Sequence, residues 1–107
     1  LSIPKIQQFM RVNINKHISL EELASLSHCS KYHFARQYQL RTGTSPLNYF
    51  IQLKMEHACF LLEQTSLSMS EIASQLGYDD ALYFSRVFRK ILGQAPSSYR
   101  KSLLQNE

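Results

Sequence analysis

The sequence predicts an all-α protein: two helix-turn-helix units joined by one long helix, with closing helices at either end. Three observations predict it. Residues 70–99 read as a short helix, a tight turn, and a second helix with aromatic residues on one face and arginines on the other. The same signals occur earlier in the chain, 49 to 50 positions upstream. Between the copies, a wide apolar stripe of helical period opens at Ser45-Pro46, a cap followed by proline at the first helical position.

Taken in order, residues Ile3 to Asn15 form the first expected helix, with Pro4 in its first turn and Ile3, Ile6, Phe9 and Met10 as its stripe. Ser19 and Glu22 form a capping box, and Ile18 and Leu23 are spaced to staple across it. The short helix this opens runs to about Ser27 and is followed by a turn through His28 and Cys29. Ser30 caps the next helix, which is expected to reach about Leu40 and to stop before Gly43. Phe34 and Tyr38 share its inner face, whereas Tyr32 and Arg36 lie nearly opposite, beside Ala35 and Gln39. The connecting helix extends to about Gln64, with Leu47, Phe50, Ile51, Met55, Ala58, Leu61 and Leu62 giving it a stripe wide enough for burial on much of its girth.

The pattern then returns. Ser68 and Glu71 repeat the capping box of Ser19 and Glu22 at a shift of 49. Gly77-Tyr78 breaks the short helix, and past that turn the shift becomes 50, so the second copy holds one extra turn residue. Asp80 caps a helix whose Phe84, Val87, Phe88 and Ile91 are expected inward, with Leu82, Ser85, Arg86 and Arg89 outward; Gly93 ends it in a left-handed turn. Phe34, Arg36, Tyr38, Gly43, Pro46 and Tyr49 thus match Phe84, Arg86, Phe88, Gly93, Pro96 and Tyr99. The expected organisation is a first subdomain at 1–44, a connecting helix at 45–64 and a second subdomain at 65–107, together one domain.

Composition sets the outer limits. The 107 residues are 44% hydrophobic and 19% charged, as expected of a chain that folds, and the net charge of +4 favours an anionic partner. Cys29 and Cys59 stand in no paired motif and read as small buried hydrophobes in a reducing cytoplasm. No apolar run approaches the ~20 residues of a membrane span, so no membrane partner is expected. His17, His28, His33 and His57 fit neither an HExxH helix nor a Cys/His zinc spacing, and no nucleophile elbow, phosphate loop or carboxylate pair occurs. An enzyme, a cofactor and a metal are therefore not expected. The first residue is Leu1 rather than Met, which suggests a piece of a longer chain.

Ala73, Gly77-Tyr78, the run Tyr83-Phe84-Ser85-Arg86-Val87-Phe88-Arg89-Lys90, then Gly93, Pro96 and Tyr99-Arg100 resemble the signature of the AraC/XylS transcription regulators. The resemblance covers essentially the whole chain and is most specific in its second half. It implies seven helices holding two recognition helices on one face of a DNA duplex. It also implies a bacterial cytoplasmic regulator, typically an activator, that contacts RNA polymerase and usually carries an effector or dimerisation domain outside this sequence, although some members consist of the DNA-binding domain alone. Two departures are visible: Lys54 stands where the connecting helix commonly carries arginine, and Ala95 precedes Pro96 where a capping serine or threonine is common. The first is expected to alter one buried or backbone contact and the second to fray the last helix.

Two recognition helices on a rigid connector enter successive major grooves of double-stranded DNA if they lie about 34 Å apart, and so read an asymmetric site. Arg36 and Arg86, outward at matched positions, are the candidates for bidentate contact with guanine, worth roughly 1–3 kcal/mol of base discrimination. Tyr32 and Leu82 suit thymine methyl groups, and Ala35 and Ser85 allow close approach. Lys31, Gln39, Arg89, Lys90 and Arg100 are the phosphate candidates, together with backbone amides at the helix starts. The rival expectation is a helical module that binds an acidic protein through the same basic, aromatic faces.

Overall fold

A serine or aspartate side chain opens most of the helices. In the computed structural model, which describes residues 1–105, Ser2, Ser19, Ser30, Ser68 and Asp80 each accept a backbone N–H of the first helical turn. The helices they start are α1 (Ile3–Val12), α2 (Leu20–Ser25), α3 (Lys31–Thr42), α5 (Met69–Gln75) and α6 (Ala81–Leu92). Buried prolines stand at the first positions of the other two, α4 (Pro46–Gln64) and α7 (Pro96–Gln105). Seven helices and no strand are found among the described residues; residues 106 and 107 of the expected second subdomain lie outside them.

The chain divides within α4 into two compact units, Leu1–Leu53 and Lys54–Glu107. In the first, Ile6 and Met10 of α1, Ile18, Leu23 and Ala24 around α2, Phe34 and Tyr38 of α3, and Phe50 of α4 form one buried cluster. Gln7 donates to the Tyr38 hydroxyl at 3.3 Å, which satisfies the one polar atom that this ring carries inward. In the second unit Met55, Ala58, Leu61 and Leu62 of α4 are buried, as are Ile72, Ala73 and Leu76 of the α5 segment and Phe84 and Phe88 of α6. Phe84 and Phe88 pair within α6 with centroids 6.0 Å apart, and the Phe88–Tyr99 pair, at 5.7 Å, links α6 to α7. Each fully buried aromatic contributes roughly 1.5–3 kcal/mol of hydrophobic stabilisation.

Both capping boxes form as the spacing requires. The Ser19 and Ser68 hydroxyls accept from the Glu22 and Glu71 amides at 3.1 Å, and the two carboxylates reach back to the serine amides. Other expectations need correction. α1 stops at Val12, three residues early: Asn13 leaves the helical conformation at φ −108°, ψ 29°, and its side-chain amide caps the Phe9 carbonyl at 2.8 Å. α3 runs on to Thr42, and its cap is Gly43 at φ 82°. Ile91 is 42% exposed rather than inward: it sits in the last turn of α6, beyond the stripe that ends at Phe88, where the first copy carries the exposed Arg41. Cys29 and Cys59 are free thiols, half-buried rather than buried. α7 keeps its first turn without a side-chain cap, the Ala95 carbonyl accepting the Tyr99 amide at 2.9 Å.

Candidate nucleic-acid interface

The turn that presents each outward helix is set by three or four residues. After α2, His28 takes a left-handed conformation at φ 54°, and after α5 the matched Gly77 does so at φ 82°. In both copies the chain closes by the same two hydrogen bonds. His28 and Cys29 donate to the carbonyls of Ser25 and Ala24 at 3.2 and 3.3 Å, and Gly77 and Tyr78 donate to Ser74 and Ala73 at 3.1 and 2.9 Å. This paired closure is the Schellman motif, and it turns the chain sharply into the cap of the next helix. Asp79 is the extra residue of the second turn, and it is exposed.

From there the two copies agree residue by residue. Burial classes at 31–49 and 81–99 coincide at every position. Phe34, Tyr38, Phe84 and Phe88 are fully buried, and this fixes the rotation of α3 and α6 about their own axes. The opposite faces then carry Tyr32 and Leu82, 76% and 73% exposed at matched positions, with Arg36 and Arg86 exposed one turn on. Ala35 and Ser85 lie half-buried beside them, small enough to leave that part of the face open. Gln39 and Arg89 extend the faces by a further turn, and Lys90 flanks Arg89 where the first copy has the exposed Leu40. Two large apolar side chains at one place in a duplicated fold, neither serving a core, are the kind of exposure that marks a contact surface.

The charged groups of these faces are not equally available. Lys31 donates to Glu21 at 3.0 Å across the α2–α3 turn and lies 5.2 Å from the Tyr32 ring centre. That hydrogen bond and charge hold the Glu21 carboxyl below its ordinary range. The pair is exposed, so an incoming phosphate can compete for the lysine. Among the described residues neither Arg36 nor Arg86 is joined to a carboxylate, and the Arg86 guanidinium lies 5.9 Å from the Tyr83 ring centre. Arg100 stands apart. Its three nitrogens donate to the carbonyls of Leu62, Leu67 and Thr65 at 3.2, 2.7 and 3.2 Å, so its charge closes the C-terminal end of α4. Three of its five N–H donors are engaged by the backbone, so Arg100 serves the scaffold of the second unit.

A buried cation lies at the middle of α4. Lys54, 5% exposed, donates to the Leu76 carbonyl at 2.6 Å and stands 5.1 Å from the centre of the Tyr78 ring. Burial lowers its ammonium from an ordinary 10.5 to about 8. The contact that Lys54 is expected to alter is thus one to the backbone, made through its single side-chain nitrogen. Burial also pushes the Tyr78 phenol up to about 12. Neither Tyr78 nor Tyr83 stands out as a functional residue in the sequence, because Tyr83 adjoins the core residue Phe84 and Tyr78 sits in a turn. The signal that finds Tyr83 is its place three residues before Arg86, one helical turn back.

Among the described residues no group of three or more His, Cys, Asp or Glu could hold a metal ion, and no helix is long and apolar enough to cross a membrane.

Comparison with known proteins agrees with this geometry. A family described as the helix-turn-helix domain matches residues 23–102. The MmsAB operon regulatory protein of Pseudomonas aeruginosa is 38% identical over 107 residues, which is 100% of this chain and 35% of that protein. The chain spans about a third of the length of the curated relatives it matches. Among solved structures, the DNA-binding domain of AdpA, described as a global transcriptional factor in complex with a target DNA, is 25% identical with a TM-score of 0.91, covering 97% of this chain and 94% of that one. A Chromobacterium violaceum transcriptional regulator of the AraC-type DNA-binding class is 26% identical with a TM-score of 0.84, covering 92% of this chain and 88% of that one.

Proposed function

The chain belongs to the AraC/XylS family of DNA-binding transcription regulators, and from that premise we propose how it reads its site. α3 and α6 each lie in a major groove of double-stranded DNA, one recognition helix per unit, on an asymmetric promoter element with its two halves about one helical turn apart. Arg36 and Arg86 make bidentate contacts with guanine O6 and N7. Tyr32 and Leu82 pack on thymine methyl groups, and Ala35 and Ser85 give the helices room to approach. Lys31, Gln39, Arg89 and Lys90 hold phosphates and so fix the register. The observation that carries this reading is the coincidence of burial between 31–49 and 81–99, which leaves the same outward positions free in both copies.

The whole protein acts in the bacterial cytoplasm as a transcription regulator, an activator that contacts RNA polymerase, with an effector or dimerisation domain outside this sequence and no catalytic activity of its own. Length supports the further domain, since the relatives are about three times longer.

Selection from a random duplex library, followed by binding of Arg36→Ala and Arg86→Ala to the selected site, tests the reading. A bipartite site is expected, with each variant relaxing base preference in a different half. Because α3 and α6 differ at Tyr32 against Leu82 and Gln39 against Arg89, the halves are expected to differ in sequence. Identical halves, or one half with one silent variant, would overturn it.

A further inference from the structure

We infer that Tyr83 is a positioning residue for Arg86, so that the second unit reads its base with a pre-set arginine and the first does not. The inference rests on the base-reading role proposed above for Arg86. Four side chains of the second unit form a continuous stack of contacts, its two rings tilted by 47° rather than parallel. Lys54, tied to the Leu76 carbonyl at 2.6 Å, lies 5.1 Å from the Tyr78 ring centre. Tyr78 packs on the core ring of Phe84 at 5.6 Å and on Tyr83 at 6.0 Å. Tyr83, 52% exposed, carries the Arg86 guanidinium at 5.9 Å from its ring centre. The buried end of the stack is anchored and the exposed end is the arginine.

The first unit has no such stack. The residues matched to Tyr78 and Tyr83 are Cys29 and His33, and among the described residues no ring lies under Arg36. An arginine held by the π face of a ring keeps its in-plane N–H groups free, and those are the groups that pair with guanine O6 and N7. Holding it there removes part of the side-chain freedom that docking must otherwise freeze. At an exposed site this contact is worth about a two- to fivefold effect.

The test uses Tyr83→Leu, Tyr83→Phe and Arg86→Ala on the selected duplex and on one altered at the base that Arg86 reads. Tyr83→Leu is expected to lower discrimination between the two duplexes about two- to fivefold. Discrimination at the base read by Arg36 is expected to stay unchanged. Tyr83→Phe, which keeps the ring, is expected to retain the parent ratio, and Tyr83→Leu is expected to add nothing in an Arg86→Ala background. Equal loss on both duplexes, or a further loss in that background, would show Tyr83 gripping DNA itself and overturn the inference. An unchanged ratio in Tyr83→Leu beside a lost one in Arg86→Ala would sink this inference alone. Full preference retained by Arg86→Ala would sink the base-reading role and this inference with it.

Discussion

Replacing His28 by glycine should stabilise the first unit. His28 holds φ 54° to complete the turn between α2 and α3, and the second copy places Gly77 at the same step with φ 82°. A left-handed residue with a Cβ costs roughly 1–2 kcal/mol, and histidine tolerates the region better than most, which puts it near the lower end. Glycine gives back about 0.5 kcal/mol or more through its greater freedom in the unfolded chain. The His28 side chain is exposed, so little packing is lost with it. The net gain is therefore a few tenths to about 1 kcal/mol, or a few degrees in Tm for a domain of this size. Urea unfolding followed by circular dichroism measures it: the midpoint should rise while the slope m stays constant. The reciprocal change, Gly77→Ala, should lower the midpoint by a comparable amount. A His28→Gly midpoint at or below the parent value, with m unchanged, would refute the strain argument. Binding to DNA should not change, because His28 precedes the cap and stands outside the base-reading set.

Three further outcomes follow from the buried and exposed cations. Arg100→Met should cost about 2–4 kcal/mol, since three backbone carbonyls lose a charged donor, yet leave the salt slope of DNA binding unchanged under folding conditions. Arg89→Ala and Lys90→Ala should each reduce that slope by about 0.9 while barely moving the urea midpoint. Lys54 should titrate near pH 8 by NMR of its terminal methylene. Because that value lies below the 10.5 of the unfolded chain, the unfolded state holds the extra proton between the two, and stability relative to Lys54→Met should rise with pH across that window.

Much of the fold was legible because its signals are local and occur twice. Ser19 and Glu22 state a helix start within four residues, and the recurrence at Ser68 and Glu71 removes the chance reading. Inward and outward faces of α3 and α6 followed from helical period alone, since Phe34 and Phe84 leave only one side for Arg36 and Arg86. What could not be read depends on groups far apart in sequence. Arg100 looks like a phosphate ligand until the carbonyls of Leu62, Thr65 and Leu67, at and just past the end of α4, are found to engage it. Lys54 is expected at a buried or backbone contact, but its partner, the Leu76 carbonyl at the end of α5, lies 22 residues away and could not be named from the sequence. Ile91 followed the stripe in phase, but phase does not say where a helix outruns its core.

The duplication also separates what the fold demands from what each unit does with it. Positions that agree between the copies, the caps, the inner rings and the left-handed turn, are those that orient a helix. Positions that differ do so in coupled sets. Tyr38 carries a hydroxyl that Gln7 satisfies, whereas its match Phe88 has none to satisfy. Cys29 and His33 become Tyr78 and Tyr83, and only there is the outward arginine backed by a ring. A change in one member of such a set leaves an orphan hydroxyl or an unsupported arginine, so the members are expected to respond together. Exchanging single outward residues between α3 and α6 should therefore transfer base preference incompletely. Moving Tyr78 and Tyr83 along with the α6 face should transfer more of it, and an equal transfer by the face alone would show that the backing is irrelevant.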